Sequence, residues 1–108
     1  NNVKNDLSDQ ADQLIREAEE KGQILRDEAE KAAETIRKEA DLQSQKLIKE
    51  AESKGTVARM AASKGAESIK KEADKRAAQL VQEADDKALK LVEEAKIKRD
   101  QLLNENQQ

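Results

Sequence analysis

The chain has no Cys, no His, no Pro and no aromatic residue among its 108 positions, and only three Gly and one Met. Each absence excludes something. Without Cys there is neither a disulfide framework nor a thiol nucleophile, and without His there is neither an imidazole base nor the commonest transition-metal ligand. Without aromatic side chains, each of which buries roughly 150–250 Å² in an ordinary core, a globular centre of this chain length is hard to fill. Without Pro, no residue forces a helix to stop. No apolar run approaches the ~20 residues that a membrane-crossing helix needs.

What is present is charge and small apolar residues: 42% of the chain is Asp, Glu, Lys or Arg, and much of the 35% that is hydrophobic is Ala. Ala, Glu, Lys, Leu, Gln and Arg lose least on entering a helix. Such a composition suits a long helix or a disordered chain, and periodicity decides between them. The net charge is −3 with both signs interleaved, so the chain is neither a polybasic nor an acidic tail.

An eleven-residue repeat runs through the sequence in three rows. The first is Leu14, Leu25, Ile36, Leu47, Ala58, Ile69, Leu80, Leu91 and Leu102, with Val3 one step earlier. Four residues on comes Leu7, then Ala18, Ala29, Ala40, Ala51, Ala62, Ala73, Ala84 and Ala95, ending at Asn106. Four residues further comes a row of small residues, Ala11, Gly22, Ala33, Ser44, Gly55, Ala66, Ala77 and Ala88, closed by Arg99. A helix turns ~100° per residue, so this 4-4-3 spacing confines the rows to about 80° of one face. A strand, with its period of two, cannot produce it.

Charges keep the same phase. Glu17, Glu28, Glu39, Glu50, Glu72, Glu83, Glu94 and Glu105 flank the apolar face, with Ala61 the one break. Five of them stand four residues before a base, in the pairs Glu17–Lys21, Glu50–Lys54, Glu72–Arg76, Glu83–Lys87 and Glu94–Lys98. Such pairs stabilise a helix by roughly 0.2–0.5 kcal/mol each. A further flanking position alternates between apolar residues (Ile15, Ile48, Val81, Val92, Leu103) and bases (Arg26, Arg37, Arg59, Lys70).

Eleven residues in three turns is ~3.67 per turn, which predicts a right-handed supercoil. The fold expected is therefore all-α: one continuous helix over 6–103, about 150 Å long at ~1.5 Å per residue, forming a right-handed coiled coil in a homo-oligomer. Residues 1–5 and 104–108 are expected to fray. The interface expected is the first row from Leu14 to Leu102, the second from Ala18 to Ala95, and Gly22, Ala33, Gly55, Ala66, Ala77 and Ala88 of the third, shared among two to four helices, with four preferred because the stripe is wide. A surplus of acids before Lys54 and of bases after it slightly favours antiparallel neighbours.

The centre of the Leu/Ile row is Ala58, with Gly55, Ala61, Ala62 and Gly65 around it. Three arrangements suit residues 55–65: a continuous, closely packed helix, a bend, or a turn that folds the chain into a hairpin. Glycine costs about 1 kcal/mol in a helix interior. The phase nevertheless passes Ala58 without insertion or deletion, which a hairpin loop of 2–5 residues would normally disturb, so continuity is expected.

The repeats Leu14-Ile-Arg-Glu-Ala-Glu-Glu-Lys-Gly22 and Leu80-Val-Gln-Glu-Ala-Asp-Asp-Lys-Ala88 resemble the right-handed eleven-residue coiled coils of rotary ATPase peripheral stalks. That resemblance implies an elastic tether between a membrane part and a soluble head. The richness in Ala, Lys and Glu is similar to late embryogenesis abundant repeats, which order on drying. The opening Asn1-Asn2-Val3-Lys4-Asn5-Asp6 resembles the polar lead after the lipidated Cys of bacterial envelope lipoproteins, which implies an N-terminal membrane anchor outside this chain and a place in the cell envelope.

No catalytic, cofactor or metal site is expected. Adjacent acids such as Glu19-Glu20, Asp85-Asp86 and Glu93-Glu94 point apart on a helix, whereas Ca²⁺ takes six or more converging oxygens. The bases Arg59, Lys64, Lys70, Lys71 and Lys75 have no aromatic stacking partners, so no nucleic acid is expected. The function expected is a non-enzymatic structural rod or spacer whose partner is itself. The alternative is an amphipathic lipid-surface or stress-protective repeat helix.

Overall fold

The computed structural model describes the backbone of residues 2–105 and the side chains of residues 5–105. Asn1 and residues 106–108, which belong to the expected lead and tail, lie outside the described residues, as do the side chains of Val3 and Asn106. The chain forms two helices, α1 (Asn2–Ala51) and α2 (Thr56–Glu105). Every described residue outside 52–55 is helical. The all-α expectation holds, and helix reaches into both the expected lead and the expected tail.

The expected single continuous helix does not form in this chain: it stops at Ala51 and restarts at Thr56. Gly55 has φ +93, a backbone region that costs an L side chain roughly 1–2 kcal/mol and costs glycine nothing comparable. The Lys54 amide donates to the Ala51 carbonyl at 3.0 Å and the Glu52 amide to the Lys49 carbonyl at 3.3 Å, so the end of α1 is closed by its own turn. The Arg59 amide donates to the Gly55 carbonyl at 3.0 Å, which makes Gly55 the N-cap of α2. Lys49 lies in the last turn of α1, where positive charge suits the carbonyl end of a helix.

Unbroken phase predicts an unbroken helix, and the structure differs for a geometrical reason. The turn, residues 52–55, ends on Gly55, three residues before Ala58, and Gly55 itself belongs to the small-residue row. Reversing the chain about a member of that row lays the row back onto itself, so a hairpin needs no insertion or deletion. Gly65, the other glycine of the expected weak centre, lies inside α2.

The chain divides into two compact units. One is Ala29–Gln82, a helical hairpin in which the end of α1 returns through the turn as the start of α2. The other joins the chain up to Glu28 with the chain from Glu83 onward, an antiparallel pair of helical segments.

Substituting Gly55→Ala is expected to lower the unfolding free energy of the single chain by about 1 kcal/mol or more, read by urea denaturation at low micromolar concentration.

Candidate functional site

Of the three rows predicted to lie between chains, the two made of small residues are buried by the return of the same chain. In the hairpin unit the Ser44 hydroxyl donates to the Ala66 carbonyl at 3.2 Å in a fully enclosed position. Ser44, Ala33 and Ala77 are all within 1% of complete burial. In the other unit a Cβ placed on Gly22 would come within 2.9 Å of the Ala88 Cβ and 3.3 Å of its Cα, and Ala11 and Ala88 are buried. Ser44 with Ala66 and Gly22 with Ala88 each straddle Gly55 at equal sequence distance.

The Ala row follows the same course. Ala18, Ala40, Ala51, Ala62, Ala73, Ala84 and Ala95 are buried, and Ala29 is partly buried. The Leu/Ile row does not enter the seam. Leu14, Leu25, Ile36, Leu47, Ala58, Ile69, Leu80, Leu91 and Leu102 are all partly buried, and the largest fully enclosed side chain is that of Ser44. Backbones that approach closely enough to seat Gly against Ala leave no room for a Leu between them.

Each unit has two unlike sides. In the hairpin unit an open groove of about 460 Å³ is lined by Ile36, Ala40, Ile69 and Ala73, with Glu39, Gln43, Ser68, Glu72 and Arg76 at its edges. The second unit has a smaller groove of about 130 Å³ between Leu14, Ala18, Leu91 and Ala95, edged by Glu17, Lys21, Glu94 and Lys98. On these sides the Leu/Ile rows of both helices present half-open apolar edges. The other side carries charge. Arg37 pairs with Asp74 at 3.2 Å and Lys70 with Asp41 at 3.4 Å in the hairpin unit, and Arg26 with Asp85 at 3.0 Å in the other. All three pairs straddle the Gly55–Thr56 bond at equal sequence distance.

Sequence reasoning singled out Arg26, Arg37, Arg59 and Lys70 as bases of a variable flanking position and missed the acids that Arg26, Arg37 and Lys70 pair with. The signal was present: reflect these three about the Gly55–Thr56 bond and an Asp stands there, while Arg59 reflects onto Glu52. Conversely, among the described residues none of the five expected Glu-to-base pairs closes. Glu17 instead accepts a hydrogen bond from Gln13 at 3.1 Å, and an i, i+4 ion pair forms between Glu34 and Lys38, also at 3.1 Å. Exposed pairs of this kind are worth little to stability. Ile24, Leu42, Ile48, Val57, Met60, Leu89 and Ile97 are exposed apolar residues; apart from Ile48 they fall outside the rows and the flanking position.

Among the described residues no buried side-chain polar atom lacks a partner, no group of three or more Asp or Glu is placed to hold a metal ion, and no helix is long and apolar enough to cross a membrane. Comparisons with protein-family models, with curated proteins and with solved structures found no match to this chain.

The two helical glycines separate contact from propensity. Alanine at either position gains about 1 kcal/mol in helix propensity. At Gly65 the added methyl meets only the Leu47 Cδ2 at 3.0 Å, the movable end of a side chain, whereas at Gly22 it meets the Ala88 Cβ and backbone. Urea denaturation is expected to find Gly65→Ala neutral or stabilising, and Gly22→Ala destabilising by about 1–3 kcal/mol.

Proposed function

We propose that this chain is a non-enzymatic structural element, a coiled-coil spacer built on the eleven-residue repeat with a right-handed wind, that assembles with further copies of itself through the Leu/Ile side. The observation that carries this reading is the partial exposure of the Leu/Ile row at each of its positions from Leu14 to Leu102, while Ala, Gly and Ser occupy the enclosed positions. A helix pair that buries its smallest side chains and leaves its largest apolar ones half in water gains from a second layer, because full burial of a Leu or Ile is worth roughly 1.5–3 kcal/mol.

Within either unit, two copies laid with these sides together make a four-helix arrangement, in keeping with the width of the stripe. Charged groups at the groove edges, Glu39, Glu72 and Arg76 in one unit and Glu17, Lys21, Glu94 and Lys98 in the other, supply a polar rim of the kind interfaces have. Surface is available: the chain exposes 8385 Å², where a typical folded monomer of its mass exposes ~6,000 Å², and a standard interface takes ~1,600 Å². Chemistry finds little purchase here, because the chain lacks Cys and His and its seam is made of alkyl groups and one hydroxyl already bonded to a carbonyl.

Sedimentation equilibrium tests the reading. The chain is expected to associate with rising concentration, and Ile36→Lys with Ile69→Lys is expected to weaken association at least ~10-fold. Ile24→Lys, at a residue 56% exposed, is expected to change nothing. A chain that stays single up to millimolar concentration sinks the proposal. A chain unordered in buffer and helical only on vesicles favours the lipid-surface alternative instead.

A further inference from the structure

We propose that two copies of this chain exchange helices: the turn at residues 52–55 straightens, and α1 of each copy seats against α2 of the other along the seam now formed within one chain. The proposal rests on the self-assembling reading above, yet it concerns a different surface, the small-residue seam.

Symmetry is the first support. Ser44 with Ala66 and Gly22 with Ala88 reflect through Gly55, and the three cross-helix ion pairs through the bond that follows it. An antiparallel pair of chains crossing at Gly55 gives the residues away from the turn the same neighbours, supplied by the second copy. Phase is the second. Leu47, Ala51, Gly55, Ala58 and Ala62 keep the 4-4-3-4 spacing across the turn, so a helix drawn through 52–55 holds all three rows on one face. A loop evolved only to reverse the chain is under no such constraint.

The third support is a charge the hairpin leaves over. The reflection that carries Arg26, Arg37 and Lys70 onto Asp85, Asp74 and Asp41 carries Arg59 onto Glu52. Glu52 belongs to the turn, and Arg59 donates to the Thr56 hydroxyl at 3.5 Å instead. In the exchanged pair Glu52 of each copy faces Arg59 of the other, and the ladder of unlike charges runs on through the crossing point. There the two Gly55 residues meet, in a row that elsewhere is Ala, Gly or Ser.

Straightening gives up little. The turn residues 52–55 are exposed, and nothing lies within 4 Å of a Cβ built on Gly55. It restores helical hydrogen bonds to the groups that end α1 and begin α2. Against exchange stands the proximity of the two helices in one chain, an effective concentration of the order of millimolar for a short connection. Short hinges favour exchange once they are strained, so chain concentration and the conformation at residue 55 set the balance.

The test uses the absence of native Cys. Chains carrying Ser44→Cys and chains carrying Ala66→Cys are unfolded together, refolded at about millimolar concentration and oxidised. The expected result is a disulfide-linked heterodimer. Introducing Gly55→Ala into both chains is expected to bring it in at a concentration at least ~10-fold lower. On chains without cysteine, Glu52→Lys is expected to reduce the dimer fraction in sedimentation, and Glu52→Lys with Arg59→Glu to restore it. Absence of the heterodimer at every concentration, with the double-cysteine chain closing only on itself and fully helical, overturns the exchange. Assembly through the Leu/Ile side keeps residues 44 and 66 of different chains apart, so oligomers that contain only intrachain links leave that reading standing while this one fails.

Discussion

Close contact between two helix backbones is the constraint from which the other features of this chain follow. Gly22 against Ala88, and Ser44 against the carbonyl of Ala66, are contacts that only the smallest side chains permit. Once the helices approach that closely, the Leu and Ile of the next row are displaced to one flank and the cross-helix ion pairs of Arg26, Arg37 and Lys70 to the other. The unlike sides of each unit are a consequence of the narrow seam. Dispersion between the enclosed alanines is dense but draws on few atoms per residue. A seam of this kind therefore holds register more than it supplies stability, and half-open aliphatic edges on one flank are its complement.

Much of this was legible in the sequence. The 4-4-3 spacing placed Ala18, Ala33, Ala40 and their successors on one face, and these are the residues the structure encloses. It also distinguished the small row from the Leu/Ile row, which differ in burial as they differ in size. Helix content followed from composition and from the missing Pro. The turn was not legible, because its main sequence signal, one glycine in a positive-φ position, is the same residue type that the seam needs for close approach. Gly22, Gly55 and Gly65 look alike in the sequence. One seats a partner backbone, one reverses the chain, and one sits under the end of a leucine.

The cross-helix charge pairs were hidden for a related reason. Helical neighbours four residues apart can be found without knowing the fold, and the sequence offers five well-ordered pairs of that kind. Arg37 and Asp74 can be matched only once the point of reversal is known, and the continuous helix expected from the sequence has no such point.

Reversal about a member of a repeating row has a further consequence, for size. Neighbours are assigned by distance from Gly55, and each arm repeats every eleven residues, so removing one whole block from both arms returns each remaining residue to a neighbour of the same kind. Removing it from one arm alone leaves the other overhanging by three helical turns, ~16 Å. Matched gain or loss of eleven-residue blocks thus keeps the kind of neighbour each residue meets without redesigning the joint.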